Sequence, residues 1–194
     1  MLKYIKAVID FVMDILETVV FVGSIFIVVY LFVLTPNQVK GASMEPSFYD
    51  GDYILTSRIT YKFRSPQRGD VIVLKAPSNP DIEYIKRIIG LPGDTILIKN
   101  GDVFVNGRLL NEDYISAKTN TWDGGCVQEG VPYKVDQGDL FVMGDNRPRS
   151  SDSREFCEIP EQSVIGQVFY RYFPVGKVGP VTNPLPQEER VPSF

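Results

Sequence analysis

The chain has 194 residues, and its 20 Lys and Arg against 24 Asp and Glu leave a formal charge of -4, without the basic footprint that draws proteins onto phosphate backbones. Nucleic acid is therefore excluded as an expected partner. The chain has no histidine, so Ser-His-Asp triads, Cys-His dyads and imidazole-held zinc are excluded and any nucleophilic chemistry needs another base.

Residues 1–17 carry Lys3 and Lys6, followed by apolar Phe11, Val12, Ile15 and Leu16, and read as a cytoplasmic start with an amphipathic lead-in. Residues 18–35 form an uncharged run, TVVFVGSIFIVVYLFVLT. At about 1.5 Å per residue it covers roughly 27 Å, which predicts one transmembrane helix. A cleavable secretory signal is the competing reading, since Val39 and Gly41 stand at small-residue spacing. The run, however, is longer than the core of about 7–15 residues that such signals carry. The two lysines ahead of the span are expected to place the N-terminus in the cytoplasm, so that the chain crosses the cell membrane once and residues 36–173 follow as a domain on its extracytoplasmic face.

Beyond Pro36 the pattern changes to short β-rich runs: DYILTS from Asp52, VIVLK from Val71, IEYIKRII from Ile82, DTILIK from Asp94 and DVFVNG from Asp102. Asn100-Gly101 and Asn106-Gly107 are type I′ hairpin signals, so the strands around them are expected to form a meander. Residues 109–137 have weaker periodicity and read as an insertion or flap outside the main sheet. Strands resume with LFVMG from Leu140 and IGQVFYRYF from Ile165. Residues 174–194 hold Pro174, Pro180, Pro184, Pro186 and Pro192, which suits an extended or disordered tail. The expected fold is mainly β: an antiparallel sheet domain with a small inserted subdomain behind one N-terminal transmembrane helix.

Three segments could carry chemistry. Gly41-Ala42-Ser43-Met44-Glu45-Pro46 taken alone is a turn. In the strand around Lys86, the lysine shares a face with Tyr84 and Ile88 while Ile85 and Ile89 take the other. A lysine on an apolar face is either a stem that snorkels to water or a functional amine with a lowered pKa. Gly144-Asp145-Asn146-Arg147, continuing through Ser150, Asp152 and Arg154, is a dense polar loop after an apolar strand, suited to bracing or to catalysis. In a chain without histidine, Ser43 and Lys86 form the available nucleophile and base pair, because a neutral amine in an apolar pocket can take a serine proton near neutral pH.

These segments resemble the bacterial type I signal peptidases. The likeness rests on Ser-Met-x-Pro at Ser43, Arg-Gly-Asp-Val at Arg68, Tyr-Ile-Lys-Arg running to Gly-Leu-Pro-Gly-Asp at Asp94, and Gly-Asp-Asn-Arg with Ser-x-Asp-Ser-Arg ending at Arg154. The resemblance implies a membrane-bound serine endopeptidase that removes signal peptides from exported preproteins, without metal or cofactor. It makes Ser43 the nucleophile, Lys86 the general base and Ser150 a hydroxyl that orients the lysine. Arg87, Asp145, Asp152 and Arg154 become bracing residues. Two departures stand out. Where many members carry a hydroxyl side chain that helps hold the oxyanion, this chain has Gly41, so a backbone N–H must accompany that of Ser43. The usual acidic and amide pair after Gly-Asp-Asn-Arg is replaced by Pro148 and Arg149.

Competing functions are a specialised Ser/Lys peptidase maturing one pilin or conjugation component, and a catalytically silent membrane-anchored β-module that binds exported chains by strand addition. Cys126 and Cys157 both fall on the expected outer side, where a disulfide would close the insertion onto the loop after Arg154. Two free thiols are the alternative.

Overall fold

The computed structural model describes residues 2–190. Helix α1 (Leu2–Phe32) is a single element of 31 residues. It therefore spans about 46 Å, more than the hydrocarbon core of about 30 Å. Its segment Lys3–Tyr30 is long and apolar enough to cross a membrane, and none of it is buried against the rest of the chain. The helix includes the expected lead-in but stops short of residue 35. Leu34 and Thr35 instead open strand β1 (Leu34–Gln38), where they pair with Ser57 and Thr56. Pro36 explains the difference, because a proline drives the preceding residue out of the helical region and is tolerated on an edge strand.

From β1 the chain returns along β2 (Tyr53–Ser57), passes the short α2 (Thr60–Phe63) and enters β3 (Val71–Ala76) and the long β4 (Asn79–Gly90). The meander follows as β5 (Thr95–Lys99), β6 (Asp102–Val105) and β7 (Arg108–Leu109), with β8 (Tyr133–Lys134) added later. The main sheet then takes β9 (Asp139–Met143), and after α3 (Ser153–Phe156) come β10 (Ile159–Pro160), β11 (Val164–Phe173), β12 (Gly179–Pro180) and α4 (Gln187–Arg190). The strands form two sheets, ordered β1-β2-β11-β3-β4-β9-β10 with β12 on β11, and β7-β6-β5-β8. Every pairing is antiparallel. Both Asn-Gly turns adopt the left-handed geometry their residues favour, with φ of 54° and 79° at Asn100 and Gly101 and of 52° and 77° at Asn106 and Gly107.

The inserted region is not a detached flap. Its sheet begins at Thr95, earlier than residue 109, and Val127 and Val135 share a core with Ile89, Ile96 and Phe141. A second apolar cluster lies beneath β1 to β3 and includes Val39, Met44, Phe48, Ile54 and Val73. A Cys126–Cys157 disulfide, with Cα atoms 5.3 Å apart, ties the insertion to the end of α3. Nor is the Pro-rich segment free of the body. Strand β12 pairs with β11, Leu185 is buried, and Arg68 Nε donates to Glu189 O at 2.6 Å. The prolines interrupt regular structure, but Asn183 between them donates to Arg68 O at 2.8 Å and supplies the contact they cannot. The end of the expected tail, 191–194 with Pro192, lies outside the described residues.

Removing the disulfide by Cys126→Ser with Cys157→Ser is expected to cost roughly 3–4 kcal/mol for a loop of this span. The thermal midpoint in detergent micelles should fall by about 10 °C. An unchanged midpoint would show that the bridge contributes nothing to holding the insertion.

Candidate active site

Ser43 sits in the turn that follows β1, and the turn is pinned from both sides. Beneath it Met44 and Phe48 are buried in the apolar cluster. Gly41 adopts φ of +83°, a conformation that favours glycine, and its N–H donates to Asp50 Oδ1 at 2.7 Å. From the opposite side the Asn146 N–H donates to Ser43 O at 3.0 Å, and Asn146 Nδ2 donates to Ala42 O at 2.9 Å. The Ser43 backbone is thus held by a loop more than a hundred residues away in sequence.

Lys86 lies in the middle of β4, opposite Ile72 of β3. Strand alternation turns it inward: it is 3% exposed, with Ile88 buried beside it and Nζ 5.0 Å from the centre of the Tyr84 ring. Its Nζ stands 3.0 Å from Ser43 Oγ, within hydrogen-bond reach. Burial lowers the lysine pKa from 10.5 to about 8, against the opposing pull of the Asp152 and Asp145 carboxylates and with help from Arg154. The snorkelling alternative is not what the structure adopts.

The bracing residues come together as ion pairs. Arg87 grips Asp145 through two bonds, Nε to Oδ1 at 2.8 Å and Nη2 to Oδ2 at 2.6 Å, while its guanidinium lies 4.2 Å from the centre of the Tyr114 ring. Arg154 grips Asp152 in the same way, both bonds at 2.8 Å, and Asp152 Oδ2 also accepts from the Gly144 N–H at 3.0 Å. Arg154 reaches further, donating to Asn120 O at 2.8 Å and Arg147 O at 2.7 Å. These fork-to-fork contacts set the orientation of both partners and not only their distance.

Ser150 differs from expectation. Its Oγ is buried without a hydrogen-bond partner among the described residues, so the orienting bond to Lys86 is not formed. It lies against Gly144 instead, at a close approach where a Cβ would collide with both Ser150 Oγ and Ser43 O. Glycine at 144 is what lets the polar loop close on the serine turn.

Sequence reasoning missed the contributions of four residues. Asn146 stood inside a recognised motif, but nothing in its neighbourhood announced the clamp on Ala42 and Ser43. Arg147 is wholly enclosed and pairs with Glu112 and Thr119, locking the insertion to the site loop. Arg68 and Asp94 form a further buried pair at 2.8 Å. Among the described residues there is no group of His, Cys, Asp or Glu fit to hold a metal ion.

In front of the Ser43 and Lys86 pair lies a groove of about 660 Å³, walled by residues 37–43 on one side and 81–86 on the other, with Arg149 and Ser151 at one margin. Asn37 Nδ2 donates to Glu83 Oε2 at 3.0 Å across the two walls. A half-buried hydroxyl within reach of an amine whose pKa burial lowers to about 8, beside a groove walled by residues 37–43 and 81–86, is equipped for acyl transfer on an extended peptide.

The family described as signal peptidase, peptidase S26, matches residues 12–173. A probable signal peptidase I-2 from Synechocystis sp. is 37% identical over 163 residues, covering 81% of this chain and 71% of the relative. A signal peptidase IB from Staphylococcus aureus strain COL is 31% identical over 185 residues, covering 88% of this chain and 96% of the relative. A crystal structure of a signal peptidase I from Enterococcus faecalis V583 is 37% identical and aligns with a TM-score of 0.45 over 54% of this chain and 97% of that one. The chain belongs to the S26 signal peptidase family.

Proposed function

We propose that this chain is a membrane-anchored serine endopeptidase that removes signal peptides from exported preproteins through Ser43 and Lys86. The observation that carries the reading is the 3.0 Å approach of a buried, pKa-lowered amine to a hydroxyl at the edge of a peptide-sized groove. Helix α1 anchors the chain in a lipid bilayer. Lys3 and Lys6 set its N-terminus in the cytoplasm, so the β domain faces the extracytoplasmic side.

The neutral Lys86 amine takes the Ser43 Oγ proton as the oxygen attacks the scissile carbonyl, and the negative charge moves to the carbonyl oxygen. The Ser43 N–H, which donates to no acceptor among the described residues, is placed to receive that charge. The Gly41 N–H is already committed to Asp50 and is not the second donor. Collapse of the intermediate breaks the peptide bond, and the lysine ammonium returns its proton to the leaving amine. The acyl ester on Ser43 is then hydrolysed by a water that Lys86 deprotonates. Ser150, with an unpartnered hydroxyl nearby, is a positioning residue that can steady the amine as it changes charge. The retained dyad argues against a catalytically silent binding module.

Ser43→Ala should abolish cleavage of a preprotein substrate while leaving folding and membrane insertion intact. Mutant activity near wild type would remove the assignment. Because the free amine is the active form, the rate should rise with pH through one ionisation near 8, with about a tenth of the enzyme competent at pH 7. Lys86→Arg keeps the charge but cannot shed its proton, so it should be as inactive as Lys86→Ala, and substantial activity in the arginine variant would place the base elsewhere. Alternate side chains of a strand-like substrate enter shallow pockets, so Ala at -1 and -3 should be cut far faster than Leu or Phe. Equal rates across that peptide series would contradict this binding mode.

A further inference from the structure

The groove has a direction that can be read from the topology. Helix α1 ends at Phe32, β1 leads away from it toward Ser43, and the Asn37 to Glu83 hydrogen bond joins the two walls at the end nearer the helix. Ser43 and Lys86 meet at the other end, where Arg149 and Ser151 stand. On the function proposed above, the apolar part of a signal peptide shares the bilayer with α1. Its last residues therefore enter beside Asn37 and Glu83, the cut falls at Ser43, and the mature chain leaves past Arg149.

Arg149 is unlike the other arginines of its loop. Arg147 and Arg154 are buried and paired, whereas Arg149 is exposed and its guanidinium makes no hydrogen bond or ion pair among the described residues. Its backbone is nevertheless fixed: the Arg149 N–H donates to Asn146 O at 3.0 Å, and Asn146 itself holds Ser43 O. An exposed cation is thereby carried on a backbone that is bonded through Asn146 to the serine turn, while Ser151 beside it is engaged with Glu155. The opposite end of the groove carries the carboxylates Asp81 and Glu83, and exposed Lys40 stands on the wall between the two ends, so the charge runs from acidic where the substrate enters to basic toward Arg149, where the product leaves. A substrate carboxylate just past the cut would meet the unpaired guanidinium, and a substrate ammonium there would be repelled.

We propose that Arg149 is a specificity-determining residue that favours an acidic side chain at the first or second position of the mature protein. Because the pair forms at a solvated margin, the effect is a preference of about threefold to fivefold at low salt, fading as ionic strength rises.

The test uses full-length enzyme in micelles and peptides with Ala at -1 and -3 that differ only in carrying Glu, Gln or Lys at +1 or +2. The readout is the ratio of kcat/KM for Glu over Lys within each variant. Wild type should favour Glu, Arg149→Gln should flatten the ratio, and Arg149→Glu should invert it. A wild-type ratio of one, or a Glu preference that survives in Arg149→Glu, would overturn the proposal. So would a change confined to charges placed at -4 or -5, which would mean that the substrate runs the other way. Failure of the underlying function would look different: no peptide cut at all, or cleavage that persists in Ser43→Ala.

Discussion

The structure turns on the burial of one amine. Lys86 can act near neutral pH only if water is kept from it, and that exclusion carries a cost, since an ammonium in an apolar setting loses its hydration. Two carboxylates, Asp145 and Asp152, are close enough to pull the proton back on. Each is held by an arginine through two bonds, Asp145 by Arg87 and Asp152 by Arg154. The lysine therefore faces ion pairs, not bare negative charge, and desolvation prevails. Four elements meet at the lysine: the alternation of β4 turns it inward, β3 pairs beside it, the serine turn caps it and the polar loop closes the remaining side.

Buried ion pairs are an uneconomical source of stability, because desolvating both charges offsets much of their attraction. Their concentration around residues 144–154 is better understood as geometry. Arg87 and Asp145 connect β4 to the loop after β9, Arg147 and Glu112 connect that loop to the insertion, and Arg154 and Asp152 fix the start of α3. Asn146 passes this rigidity to the serine turn by two hydrogen bonds. Loss of any one arginine would leave a buried carboxylate uncompensated and would also move Ser43 relative to Lys86.

What the sequence made legible was what is local. Alternation around Lys86 assigned its face, the two Asn-Gly pairs located the hairpins, and the uncharged run at 18–35 located the apolar helix. Spatial pairing without a local pattern stayed hidden. Nothing about Asn146 predicts a partner at Ala42, and nothing about Arg147 predicts Glu112, because side-chain bonds across long sequence separations leave no periodicity. The Pro-rich end misled for a related reason: its composition reports poor regular structure, whereas its docking depends on Leu185 and on the backbone groups that Arg68 and Asn183 engage. Pro36 should have marked the helix end, and only the length of the apolar run argued otherwise. The Ser150 hydroxyl shows what a motif leaves open, since its place in the chain matches while its Oγ makes no hydrogen bond among the described residues.

The apolar helix and the Ser43–Lys86 pair are linked through β1, which leads from the end of α1 toward the serine turn, so on the anchoring proposed above the helix also sets how the groove meets the bilayer. Whether this arrangement works as argued depends on the charge state of one side chain. A lysine-resolved NMR titration of the full chain in micelles, with Lys86→Gln to assign the resonance, measures it without substrate. The Lys86 midpoint should lie near 8. A midpoint at the ordinary value of about 10.4 would contradict it, since the amine would then stay protonated across the neutral range and could not accept the proton from Ser43.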